Sequence, residues 1–343
     1  MSKRTSLADL LKGIAVILMI QVHILELFAS PQIFSSTKGS FLLFFGGPFV
    51  APIFAVVFGY FIGRSNLAGK QIVVRGVKLF FVGFLLNLLL NTNLFISIYQ
   101  GKLQLDPLPY VFGVDFLLFA GLAIILLGAL NRLLKKRFYL AFILSLLFAF
   151  LGEFLLKFHV KNEVLQYIIP FIYGNSHWSY FPLLPWIAYP LFGFGFSQLQ
   201  QRILIEAKIN KETFPWYALL GIVFIGVTLN YAIKISADLQ TYYHHGIVFF
   251  LWTIVFIFFY AINVNRIDQI LGNAKLFQYI KWLGKNVTSI YFIQWVLIGN
   301  IGTEVFKTIS NPVILITSFI GVLTASSLFC WVYLKLKYMF RTK

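Results

Sequence analysis

Charge is what this sequence has least of. Asp, Glu, Lys and Arg make up 11% of its 343 residues, against about 25% in ordinary soluble domains, and so few charges cannot cover a water-facing surface. Acids are scarcer than bases, 11 against 28, which leaves a formal net charge of +17. Cysteine is reduced to Cys330; a lone thiol excludes an intramolecular disulfide and a thiolate metal cluster, and it leaves the redox compartment unread. No low-complexity linker and no soluble segment divides the chain, so one domain over residues 1–343 is expected. An internal repeat is also missing, and with it the inverted-repeat signature of many secondary transporters.

Apolar residues fill the space that charge leaves. They reach 59% of the chain, aromatics reach 19%, and the mean hydropathy is +0.85. This is the composition of an all-α, polytopic membrane protein. Spanning a hydrocarbon core takes about 20 apolar residues per helix. About ten such runs are present, near 8–29, 41–63, 73–92, 110–131, 138–158, 181–200, 215–234, 247–263, 283–303 and 313–334. With the N-terminus inside, 22 of the 28 bases fall in alternate, inner segments, including Lys3, Arg4, Lys12, Arg64, Lys135, Lys208, Lys211 and Lys343. Only Lys38, Lys102, Lys157, Lys161, Lys234 and Lys307 fall outside. Such asymmetry is the positive-inside pattern and places both termini in the cytoplasm. The positive charge therefore orients the chain and excludes a nucleic-acid surface. The first run opens like a signal peptide, but its length and polar residues make it a retained helix.

An ionisable group at membrane depth is costly unless it meets a partner or a watery cavity, so each one marks a candidate site. The first helix is richest. Asp9, Lys12, His23 and Glu26 share one helical sector, because residues advance about 100° each. His23 lies about 21 Å along the axis from Asp9, in the outer half, at 1.5 Å per residue. Glu26, one turn on, is placed to accept a hydrogen bond from His23 and fix its tautomer; the structural alternative is a His23 that only bonds a neighbouring helix. Arg75 and Lys78 begin the third helix, where long basic side chains also snorkel to the interface. Asn87, Asn91, Asp115 and Glu153 complete the intramembrane polar set. His177 sits in GNSHWSYFPLLPW, whose aromatics suit an interfacial belt or a platform for stacking sugars. His244 and His245 lack further ligands at useful spacing, so no metal is expected. Breaks are expected in helix two at Gly46, Gly47, Pro48 and Pro52 and in helix six at Pro182 and Pro185.

The stretch ADLLKGIAVILMIQVH, Ala8 to His23, resembles the opening of the transmembrane acyltransferase superfamily, which includes acyltransferase family three and the heparan glucosaminide N-acetyltransferases. Asp9, Gly13 and His23 match the family pattern, and Lys12 stands where Arg is usual. GGPFVAPIFAVVFGYFIGRS, RGVKLF at Arg75, GVDFLLFAGLAIILLGAL, FPLLPWIAYPLFGFGFS and LGKNVTSIYFIQW resemble later helices in the family's order. Gln294 occupies a place where many relatives have His.

This resemblance implies an enzyme that takes an acetyl or other acyl group from cytosolic acyl-coenzyme A to a hydroxyl or amine of an extracytoplasmic sugar or glycan. His23 is then the general base or transient acyl carrier, with Glu26 and Asp9 tuning it. Lys12, Arg64, Arg75 and Lys78 suit the coenzyme A phosphates, and His177, Trp178, Trp186 and Gln294 suit the acceptor. The implied setting is membrane lipid, in a bacterial plasma membrane, as a homodimer. A transporter or lipid flippase, or a non-catalytic assembly partner, would carry similar polar groups without consuming a thioester.

Overall fold

The computed structural model describes residues 6–158, 162, 164–174, 176–203 and 214–341. Lys3, Arg4, Lys161, Lys208, Lys211 and Lys343 therefore lie outside the described residues. Twelve main helices run in chain order: α1 Ser6–Phe28, α2 Thr37–Gly46, α3 Ala51–Arg64, α4 Gly69–Leu90, α5 Phe116–Lys136 and α6 Tyr139–Leu155. They continue as α7 Ala188–Ile203, α8 Phe214–Ala237, α9 Ile247–Leu271, α10 Lys275–Lys285, α11 Val287–Val305 and α12 Pro312–Arg341. Among the described residues there is no named strand, only isolated bridges. In hydrocarbon a backbone must satisfy its own N–H and C=O groups, and continuous helix does so within each segment.

Seven helices are long and apolar enough to cross a membrane, counting α2 and α3 as one span over Thr37–Arg64. The chain is an integral, multi-pass membrane protein. The three remaining expected runs are also helical but appear as α6, α7 and α11, of 17, 16 and 19 residues. Apolar side chains face outward along these spans: Val227 on α8 is 80% exposed and Val313 on α12 is 64% exposed. Water would penalise such surface, whereas lipid accepts it.

The proline and glycine breaks act where the sequence places them. The second run stops at Gly46 and resumes at Ala51, with Pro52 in the first turn of α3, where its missing N–H is not needed. Leu184 is extended (φ −102°, ψ 124°), as the residue before a proline tends to be, and this interrupts the helical path at Leu183–Trp186, just before α7.

Two compact units divide the chain. One holds residues 51–87 and 108–263; the other holds 5–50, 88–107 and 264–343. The core of the first is aromatic: Trp186, Tyr189, Phe119, Phe194, Phe249 and Phe250 are buried, and Trp186 packs edge-on to Phe119, Phe181 and Tyr242. In the second, α1 is the central helix, packed on α2, α10, α11 and α12. Asn300 on α11 joins the segment after α4: its Oδ1 accepts from the Asn93 N–H at 2.8 Å, and its Nδ2 donates to the Leu89 carbonyl at 2.8 Å.

Candidate functional site

The polar sector of α1 is held from both ends in the second unit. Near its start, α1 and α10 meet backbone to backbone. A Cβ on Gly13 would overlap the Ile280 carbonyl, and one on Gly284 would overlap the Asp9 carbonyl. Only glycine on both helices permits this approach. The Asp9 carboxylate is buried and pairs with Lys12 Nζ at 3.1 Å, in the first turn where the helix dipole also favours an anion. At the far end, the Lys307 N–H donates to the Leu27 carbonyl at 2.8 Å and the Ile309 N–H to the Phe28 carbonyl at 2.9 Å. Ser30 returns a third bond to the Ile309 carbonyl at 2.9 Å. Lys307 takes φ 53° to make this turn, a conformation that costs a non-glycine residue of order 1 kcal/mol.

Between these two clamps α1 and α11 present His23 to Gln294. His23 Nδ1 lies 3.2 Å from Gln294 Oε1, and Gln294 is fully buried. Trp295 stacks on the imidazole with ring centroids 4.0 Å apart and planes inclined by 29°. Glu26 is half-buried one turn beyond His23. The sequence places Glu26 where it could accept a hydrogen bond from His23; the contact at Nδ1 comes from Gln294, 271 residues away. Trp295 carries no chemical signature of its own in the sequence, and only its adjacency to Gln294 marks it.

The basic candidates of the first unit are differently engaged. Arg64 closes α3: its Nη1 donates to Tyr60 Oη at 2.7 Å, and that hydroxyl donates to Gln200 Oε1 at 2.6 Å. A cation there also suits the carboxyl end of the helix. Arg75 and Lys78 are exposed, one turn apart on α4. Lys135, which the sequence marks only as part of the inner charge, donates to the Ser65 carbonyl at 2.5 Å beside Arg64, and Arg202 Nη2 donates to the Lys135 carbonyl at 2.7 Å. Lys12 belongs to the other unit.

Of the aromatic candidates, His177 is exposed and lies edge-on to Trp178 at 4.7 Å, and Trp178 stacks on Tyr167 at 5.7 Å. Trp186 is fully buried and its indole N–H donates to the Tyr243 carbonyl at 2.8 Å.

A family model described as an acyltransferase domain matches residues 8–334. The chain belongs to acyltransferase family three. No curated protein and no solved structure matches it. The family match runs through both units and includes every candidate residue from Asp9 to Gln294, so the protein is a membrane-embedded acyltransferase.

His244 and His245 are two further imidazoles, both buried, in this acyltransferase. His245 Nδ1 bonds the Tyr242 carbonyl at 2.7 Å and its Nε2 bonds Tyr189 Oη at 2.9 Å. Burial lowers both histidines from 6.5 to about 4; the Tyr242 carbonyl raises His245 in part, and His244 lowers it further. Because the folded pKa is depressed, the unfolded chain takes up protons first as the pH falls. Their contribution to stability is complete above about pH 6.5 and lost towards pH 4, on the order of 3 kcal/mol per histidine. The unfolding midpoint in detergent should fall over that window, and the paired substitution His244→Asn with His245→Asn should flatten the fall. An unchanged slope in the variant would contradict this assignment.

Proposed function

We propose that this protein moves an acyl group, acetyl in the simplest case, from cytosolic acyl-coenzyme A to a hydroxyl or amine of an extracytoplasmic sugar or glycan, in a bacterial plasma membrane. The reading is carried by one observation: in a chain of acyltransferase family three, a histidine on a membrane-spanning helix is gripped by a buried glutamine and a stacked indole. An imidazole at that depth is expensive to keep without a task.

His23 acts as general base on the acceptor or as transient acyl carrier, with Glu26 tuning it. Asp9 orders the inner end of α1 through Lys12. Arg64, Arg75 and Lys78 of the first unit supply positive charge for the coenzyme A phosphates, Lys12 adds to the basic charge at the inner end of α1, and both termini lie on the cytoplasmic side by the distribution of bases. Arg64 is held for this by Tyr60. His177 and Trp178 offer ring faces to a sugar, and the buried Trp186 packs against Phe181 further along the same segment. Incubating the purified protein with labelled acetyl-coenzyme A and an envelope glycan fraction tests this. Label is expected in the glycan, with free coenzyme A released in equal amount; thioester that stays intact would refute it.

A further inference from the structure

The partners of Gln294 fix more than its own position. Its amide nitrogen Nε2 lies 3.3 Å from the Tyr291 carbonyl oxygen. A carbonyl can only accept, so the nitrogen must face it; the flipped amide would set two oxygens against each other. Gln294 Oε1 therefore faces His23 Nδ1 at 3.2 Å, and an amide oxygen can only accept. The proton is consequently on Nδ1. A neutral imidazole carries one N–H, so Nε2 holds a free lone pair. Trp295, stacked on the ring 4.0 Å away, opposes the rotation that would exchange the two nitrogens.

Resting on the reading of His23 as the base, we infer that Gln294 is a positioning residue for acyl transfer, which holds His23 in the Nδ1–H tautomer and leaves Nε2 as the basic nitrogen. The acceptor oxygen or nitrogen bonds to the thioester carbonyl carbon while its proton passes to Nε2. Collapse of the adduct breaks the C–S bond, and the proton on Nε2 passes to the departing thiolate to give the free thiol of coenzyme A. Nδ1–H stays on Gln294 Oε1 throughout, so the glutamine neither gains nor loses a proton. Glutamine suits this task in one further respect: it supports both the neutral ring and the imidazolium without adding a buried charge.

Nitrogen-15 NMR of histidine-labelled protein in lipid nanodiscs reads the tautomer directly, with His23→Ala assigning the signal. Nδ1 should be the protonated nitrogen in the parent protein. Gln294→Leu should transfer population to the Nε2–H form and lower kcat for transfer from labelled acetyl-coenzyme A to the envelope glycan fraction on the order of 10²-fold, with KM for acetyl-coenzyme A changed by less than about twofold. Gln294→Glu, protonated in this buried site, keeps an acceptor oxygen for the Nδ1–H and a donor hydroxyl for the Tyr291 carbonyl, and should restore both the tautomer and most of the rate. An Nε2–H signal in the parent protein overturns the inference, as does an unshifted tautomer in Gln294→Leu, or equal loss of rate in folded Gln294→Leu and Gln294→Glu. If Gln294→Leu does not fold, the parent spectrum and Gln294→Glu decide. Full turnover by His23→Ala removes the base itself, whereas an inactive His23→Ala beside a fully active Gln294→Leu removes only the role of Gln294.

Discussion

His23→Ala should lower acyl transfer on the order of 10³-fold, about 4 kcal/mol of transition-state stabilisation, with the helical content and detergent-extracted size of the protein unchanged. The expectation rests on how the side chain is held. Its ring makes one hydrogen bond and one stacking contact, so its removal costs little packing, and α1 remains fixed by the Gly13 and Gly284 crossing and by the three backbone bonds at residues 27–30. Loss of activity in a folded protein therefore reports chemistry. His23→Gln preserves bulk and a hydrogen bond but has no basic nitrogen, so it should be as inactive as the alanine variant. Turnover within about tenfold of the parent in either variant would show that the proton goes elsewhere.

The second large effect is structural. Gly284→Val should destabilise the protein by about 3 kcal/mol, and Gly13→Val by a similar amount, because each side chain would be driven into a backbone carbonyl of the opposing helix. Carbonyl oxygens on a hydrogen-bonded helix cannot rotate away, so α1 and α10 would have to separate. Gly321, on α12, is the control: nothing lies within 4 Å of a Cβ placed there, so Gly321→Ala should be neutral or stabilise by up to about 1 kcal/mol through helix propensity. Thermal unfolding in one detergent compares the three. Equal midpoints for Gly284→Val and Gly321→Ala would refute the close crossing.

Hydropathy made the helices legible, and the proline rules made their breaks legible. The pause between Gly46 and Ala51 and the extended Leu184 before Pro185 stand at the breaks read from the sequence, since both are backbone properties of a few adjacent residues. Crossing length was harder to read. Composition alone does not show that α6 stops at 17 residues, because where an apolar helix ends depends on the turns that follow it. The partner of His23 was out of reach for another reason. Helical periodicity shows which residues share a face with His23, and so it points to Glu26, but a contact from α11 depends on tertiary packing across 271 residues. The pairing of Arg64 with Tyr60, by contrast, follows the i, i+4 rule and could be read locally.

Sealed proteoliposomes offered labelled acetyl-coenzyme A on one face and a hydroxyl-bearing envelope glycan on the other give the most direct test. The account predicts acylated glycan and free coenzyme A thiol appearing in equal amounts on opposite sides, with both slowed on the order of 10³-fold in His23→Ala. Label crossing the bilayer with its thioester intact, or thiol release that is the same with and without His23, would contradict it.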